Sequence, residues 1–216
     1  MVETVPLWDD KRFGPWIIVE RLADIILYFV PGCIVEIGIG GSTVVLAKFA
    51  REFGVKHYAV DTDKKKCKSI EENKKTSHKN LIVYRGRSLD FMEEFDDNPS
   101  LVFVDGCHKA AIVLKEAMFF LHKLNPGGVM FFHDMYLCEE WKDRHDERGK
   151  FSNTYLVRWI LENMRDVWCF TFPYTASACG LTMVMKKPEY EYTADAMDLA
   201  GLGRRCGDWT YKGQVL

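Results

Sequence analysis

The sequence is short of several things, and each shortage removes a class of protein. It lacks excess positive charge: 29 Lys and Arg stand against 31 Asp and Glu in 216 residues, a net charge of −2. A broad nucleic-acid footprint usually needs a basic domain. The nearest approach to a basic patch is DKKKCKSIEENKKTSHKN at 63–80. Glu71 and Glu72 interrupt it and no aromatic residue is there to stack on a base, so it reads as a solvated helix face. There is no C-x-x-C pair, and the cysteines number seven, which is odd: Cys33, Cys67, Cys107, Cys138, Cys169, Cys179 and Cys206. That speaks against a disulfide framework or a zinc site and for a reducing, cytoplasmic setting. No signal-peptide pattern is visible, and no uncharged apolar run is long enough for a membrane span. The nearest candidate, WIIVERLADIILYFV at 16–30, carries Glu20, Arg21 and Asp24. It is expected to be a soluble amphipathic helix with Ile18, Leu22, Ile25, Ile26 and Phe29 on one face. Internal repeats and low-complexity segments are also missing.

What is present is an alternation. Hydrophobic residues make up 48% of the chain, ample for one core. CIVEIG, KHYAVD, LIVYRG, LVFVDG and VMFFHD read as strands, separated by the helical patterns STVVLAKFAREFG, the charged 63–80 segment, SLDFMEEF and KAAIVLKEAMFFLHKLN. In the last of these Ala111, Leu114, Met118 and Leu121 are expected to share a face. NTYLVRWILENM reads as a further helix, and VWCFTF and GLTMVMKK as two strands with only a turn-like connection between them. The pattern implies an α/β fold: a three-layer sandwich around a mostly parallel seven-stranded sheet with a C-terminal antiparallel hairpin. The expected organisation is one domain over 1–216, with an N-terminal helical cover (1–30), a core (31–187) and a tail (188–216).

In open α/β sheets, ligands bind beyond the carboxyl ends of the strands. Gly38, Asp61, Ser88, Asp105 and Asp134 fall at those ends. The first end, IVEIGIGGST at 34–43, is a glycine bend followed by a helix start. Gly38, Gly40 and Gly41 allow a tight turn and close approach of a ligand to the backbone. Ser42 or Thr43 could cap the helix. A dinucleotide fingerprint would need a third glycine where Thr43 stands.

VEIGIGGST resembles the first motif of the class I S-adenosylmethionine-dependent methyltransferases, an acid-x-Gly-x-Gly pattern, with the last glycine one place early at Gly41. The resemblance extends in order through HYAVDTD, YRGRSLDF, LVFVDGCH and LNPGGVMFFHDM, and covers roughly residues 16–186. It implies S-adenosylmethionine as cofactor. Glu36 would face the ammonium group of its methionine part, directly or through water; the alternative is a structural cap or pair near the sheet end. Asp61, with Thr62 beside it, would bind the ribose hydroxyls. Ser88 and Leu89 would lie beside the adenine, although Ser88 could equally cap a helix and Leu89 belong to the core.

At the acceptor end, Asp105, His108, His133 and Asp134 are brought together by neighbouring strand ends. Histidine has the right unperturbed pKa for a proton acceptor near neutrality. The D-x-x-H and x-D pattern is similar to small-molecule O-methyltransferases. That likeness implies Asp105 and Asp134 as ligands of Mg²⁺ or another divalent cation and His108 as base. His133 departs from it, since metal-dependent relatives usually carry a carboxylate there. The connection at 135–151 is long enough for a lid, with Trp141, Arg144 and His145 as candidate substrate contacts or as parts of a short charged helix.

The expectation is therefore methyl transfer to a small-molecule acceptor, at a hydroxyl oxygen, with neither nucleic acid nor membrane as partner and with homo-oligomerisation open. Two competing readings are a nicotinamide-dependent oxidoreductase on a similar sheet and a non-catalytic binding module of the same fold.

Overall fold

The computed structural model describes residues 16–135, 154–172 and 180–187, and the backbone of Thr210, Tyr211, Gln214 and Val215. The N-terminal segment, the connection beyond Met135 with Trp141, Arg144 and His145, and most of the tail lie outside the described residues.

Seven strands form one sheet: β1 (Cys33–Ile37), β2 (His57–Asp61), β3 (Leu81–Arg85), β4 (Pro99–Val104), β5 (Val129–His133), β6 (Val167–Phe172) and β7 (Leu181–Lys186). Their spatial order is β3-β2-β1-β4-β5-β7-β6. Strands β1 to β5 run parallel, and β7 lies antiparallel between β5 and β6. The helices are α1 (Trp16–Phe29), α2 (Ser42–Phe53), α3 (Lys64–Glu72), α4 (Ser88–Glu94), α5 (Ala110–Lys123) and α6 (Thr154–Glu162). A two-residue pair, β8 (Thr210–Tyr211) and β9 (Gln214–Val215), stands apart from the main sheet. No helix among the described residues is long and apolar enough to cross a membrane.

The sheet is covered on both faces, and its central strands are accordingly apolar throughout rather than alternating. Every residue of β1 and of β4 is buried. One core layer joins Val35, Ile37, Val102, Val104, Met130 and Phe132 to α4, α5 and α6. The other joins Ile34, Leu101, Phe103 and Phe131 to α1 and α2. Each layer takes alternate residues of the same strands, as the pleat requires.

Two helices bury a face other than the apolar stripe their spacing singles out. In α1 the buried residues are Val19, Ala23, Ile26 and Leu27, whereas Ile25 and Phe29 are 57% and 73% exposed. Both stripes are apolar at helical spacing, so periodicity alone could not choose between them. In α5 the buried set is Val113, Glu116, Ala117, Phe120 and Leu121, and Met118 and Ala111 face outward. Phe120 packs edge-on against Phe95 and Phe119, and this aromatic cluster outweighs the smaller stripe built on Ala111. The buried Glu116 disguised the true face.

Strand order reverses direction between β1 and β4, which opens a crevice at their carboxyl ends. Gly38 leaves β1 and Asp105 leaves β4 on the two sides of that crevice. Parallel register aligns Ile37 with both Val60 and Val104, and Val104 with Phe132. The next residues along, Asp61, Asp105 and His133, are thus set side by side along one edge of the sheet.

Candidate active site

The crevice holds a cavity of about 460 Å³, within the range of small-ligand sites. Its wall is built from the ends of β1, β2 and β4 and the starts of α4 and α5. Gly38, Asp61, Thr62, Ser88, Leu89 and Asp105 line it, six of the residues expected for a cofactor. Lys66, Arg87, Cys107 and Ile112 line it too. Sequence reasoning missed these four or set them aside. Their signal is positional: Arg87 and Cys107 lie within three residues of a strand end and Lys66 and Ile112 in the first turn of the helix that follows, but as a residue type each also suits an ordinary surface or core position.

Gly38 is a glycine for a reason internal to the fold. Its φ is +93°, and a Cβ there would lie 2.2 Å from the backbone oxygen of Asp105. No side chain fits while β1 and β4 keep this spacing. Gly40 differs: a Cβ would meet nothing within 4 Å. The folded chain itself places no demand for glycine at position 40, so any such demand comes from something that approaches the bend.

Glu36 is not among the residues that line the cavity, and its contacts are those of the structural pair near the sheet end. The residue is fully buried. Its Oε1 accepts hydrogen bonds from the hydroxyls of Ser42, at 2.5 Å, and Thr43, at 3.0 Å. Its Oε2 lies 3.3 Å from Nε2 of the buried His57. The His57 ring stacks on His78, and burial, with the neighbouring His57, pushes His78 down to about 4. The acid two residues before the first glycine therefore anchors the far end of the bend from beneath. The capping expectation changes with it: α2 starts after Gly41 without a side-chain cap, and Thr43 Oγ1 instead accepts from the Gly40 amide at 3.1 Å. Gly41 is exposed and Ser42 and Thr43 are buried, so these three shape the bend rather than the cavity wall.

Asp61 performs two tasks. Its Oδ2 accepts the Ile39 amide at 2.9 Å, its Oδ1 accepts the Asp63 amide at 2.8 Å, and Lys66 Nζ stands 3.5 Å from Oδ2. One carboxylate thus ties the glycine bend to the β2 turn. A carboxylate has about four lone-pair positions, so capacity remains for hydroxyl donors in the cavity. Across the cavity, Ser88 is the first helical residue of α4, and its hydroxyl donates to the Glu116 carboxyl. Arg87, just before it, grips Asp90 at 2.8 and 2.6 Å.

The four expected residues of the acceptor end are brought together. His108 Nε2 lies 3.1 Å from Asp134 Oδ2 and 3.9 Å from Asp105 Oδ1. His133 Nδ1 lies 3.3 Å from Asp105 Oδ1 and 3.2 Å from Asp134 Oδ2. Burial by itself would push His133 down, but the two carboxylates outweigh it and lift it to about 10. His133 is then a cation at neutral pH, placed as a counter-charge between Asp105 and Asp134. Asp134 has φ +60°, the one positive value among described residues other than glycine. Aspartate tolerates that conformation, at some cost. Here it is held from both sides: the Asp134 amide donates to Gly180 O at 3.0 Å and its carbonyl accepts from Thr154 Oγ1 at 2.7 Å.

Asp105, His108 and Asp134 each offer one ligand atom, all within 4.8 Å of one another. This mixed oxygen and nitrogen set fits a borderline divalent ion better than Mg²⁺, which prefers an octahedron of oxygens. The His133 imidazolium already supplies positive charge to the same two carboxylates.

A mostly parallel sheet ending in an antiparallel strand pair, with a glycine bend after β1 and a carboxylate ending β2, is a fold shared with solved methyltransferases. Residues 35–135 match the family described as "Methyltransferase domain". The O-methyltransferase TomG from Streptomyces achromogenes, involved in tomaymycin synthesis and solved in complex with SAM, is similar at 18% identity. That match covers 79% of this chain and 80% of that one, with a TM-score of 0.60. An O-methyltransferase from Bacillus cereus in complex with SAH is 16% identical over 85% of this chain and 94% of that one, with a TM-score of 0.61. An rRNA methylase from Streptococcus thermophilus is 14% identical over 77% and 95%, with a TM-score of 0.53. At these identities the likeness is one of fold. No curated protein matches the chain.

Proposed function

We propose that this chain transfers a methyl group from S-adenosylmethionine to a hydroxyl oxygen of a small molecule, with His108 as the base. The observation that carries the reading is the His108–Asp134 pair beside Asp105, which itself lines a cavity whose walls suit the cofactor. Bound S-adenosylmethionine supplies an electrophilic methyl on a sulfonium. The chain's own residues do the rest. Asp61 takes the ribose hydroxyls, and Ser88, Leu89 and Ile112 enclose the adenine. Aligned reactants account for much of the acceleration in a displacement of this kind.

A hydroxyl acceptor must also lose its proton. With Nε2–H of His108 directed at Asp134, the basic lone pair resides on Nδ1, and Asp134 stabilises the imidazolium formed when that nitrogen takes the proton. Asp105 and Asp134 would hold a divalent ion, with the acceptor oxygen completing the set; an ion there would lower the pKa of the acceptor hydroxyl. The single-domain organisation over 1–216 belongs to the same proposal, as do a small-molecule rather than nucleic-acid partner and a cytoplasmic setting.

The test is an acceptor screen with S-adenosylmethionine carrying a labelled methyl group, starting from phenols, catechols and sugar hydroxyls, with products identified by mass spectrometry. The expected outcome is label on oxygen. Label found on nitrogen alone would overturn the hydroxyl reading while leaving the enzyme class intact.

A further inference from the structure

Behind the cavity wall lies a carboxyl group that methyl transfer does not use. Glu116, on α5, is fully buried and lies one helical turn after Ile112, a cavity residue. The Ser88 hydroxyl donates to Glu116 Oε1, while Oε2 is buried without a hydrogen-bond partner. Burial pushes the Glu116 carboxyl up to about 7, against the opposing pull of the Ser88 hydroxyl. A buried carboxyl with one bare oxygen costs stability relative to an apolar side chain of the same size. Nothing in the packing of α5 calls for it, since its neighbours Val113, Ala117 and Phe120 are apolar.

Its effect on Ser88 is specific. A serine hydroxyl has one hydrogen and two acceptor positions, whereas an ionised carboxylate only accepts. With its hydrogen committed to Glu116, the Ser88 oxygen can only accept from whatever occupies the cavity. The 6-amino group of adenine is a donor; the 6-oxo group of hypoxanthine is an acceptor. We propose that Glu116 is a positioning residue that fixes Ser88 as an acceptor and so makes the cavity select a 6-aminopurine cofactor over a 6-oxopurine one. This rests on the S-adenosylmethionine reading above and adds the origin of its base selectivity. Glu116 acts through Ser88 and does not touch the ligand.

The experiment is calorimetric titration of the full chain with S-adenosylhomocysteine and with S-inosylhomocysteine, well above pH 7, where Glu116 is ionised. The readout is the ratio of the two affinities. The wild type is expected to prefer the adenine compound by about tenfold or more, because a mismatched hydrogen bond in a closed site is penalised on both sides. Glu116→Leu and Ser88→Ala should each reduce that preference by about five- to tenfold, and the double variant should fall no further than Ser88→Ala alone. Glu116→Gln, whose carbonyl can still accept from Ser88, should keep most of the preference. A purely structural role would lower both affinities together and leave the ratio unchanged. If the wild type binds the adenine compound and Glu116→Leu retains the full preference, the positioning role is overturned while the cofactor reading stands. If the wild type binds neither compound, both fall.

Discussion

His108→Ala is expected to lower turnover by roughly 10² to 10⁴-fold and to leave S-adenosylhomocysteine affinity within about twofold. The two halves of that result have separate physical origins. The cofactor cavity is walled by Gly38, Asp61, Ser88, Leu89 and Ile112, and His108 is not part of that wall. Its ring belongs to the cluster with Asp105, His133 and Asp134 at the neighbouring strand ends. Removing it takes away the proton acceptor and the partner of the Asp134 carboxylate, while the bend over β1 and the turn after β2 keep their own hydrogen bonds. The measurement is a pair: steady-state turnover with the acceptor found by screening, and a calorimetric Kd. Wild-type turnover in the variant would remove the base assignment. A parallel loss of affinity and turnover would mark His108 as a structural support instead. Asp105 and Asp134 raise the pKa of His133 to about 10, which is why His108 and not His133 is proposed as the base.

Gly38→Ala is expected to destabilise the fold by about 3 kcal/mol or more, and Gly40→Ala to change stability by no more than about 0.5 kcal/mol. At position 38 the added carbon meets backbone, with the Asp105 oxygen at 2.2 Å, its carbonyl carbon at 2.5 Å and Gly106 Cα at 2.8 Å. Backbone of a buried strand end cannot swing aside as the tip of a side chain can, and the φ of +93° adds strain of its own. Relief requires β1 and β4 to part at the crevice, which would displace Asp105 from its neighbours. At position 40 the same carbon points into open space. Urea unfolding of both variants measures the difference. Equal stabilities would mean that the two strand ends are not as close as described, and the placement of Asp105 across from the glycine bend would fail with them.

The fold was legible in the sequence to a large extent because an α/β chain announces itself. Short apolar runs at β1, β2, β4 and β5 end in glycine or aspartate, and each is followed by a helical period. The antiparallel edge followed from the lack of a helix between the last two strands. Helix faces were less legible. In α1 two apolar stripes compete, and in α5 a buried glutamate breaks the pattern that would have revealed the core side.

The site divides in the same way. Residues that must stand at strand ends, such as Asp61, Asp105, His108 and Asp134, could be located by position along the chain. The partner of a side chain could not be. Nothing in IVEIGIGGST says that Glu36 turns inward to Ser42, Thr43 and His57, since an acid beneath a glycine bend and an acid facing a ligand occupy the same place in sequence. Nor does SLDF say that the Ser88 hydroxyl is committed to Glu116, 28 residues further on. Such pairings depend on which elements pack face to face, and a linear pattern carries that information only weakly.

The central claim is that the crevice between β1 and β4 is a cofactor site organised by Asp61. It is tested most directly by titrating the wild type and Asp61→Ala with S-adenosylhomocysteine in a calorimeter, with and without added divalent cation. The account predicts micromolar binding by the wild type in both conditions. It predicts no measurable binding by the variant, which loses the ribose acceptor together with the anchor of the Ile39 amide. Absence of binding by the wild type, or equal binding by both proteins, would contradict it.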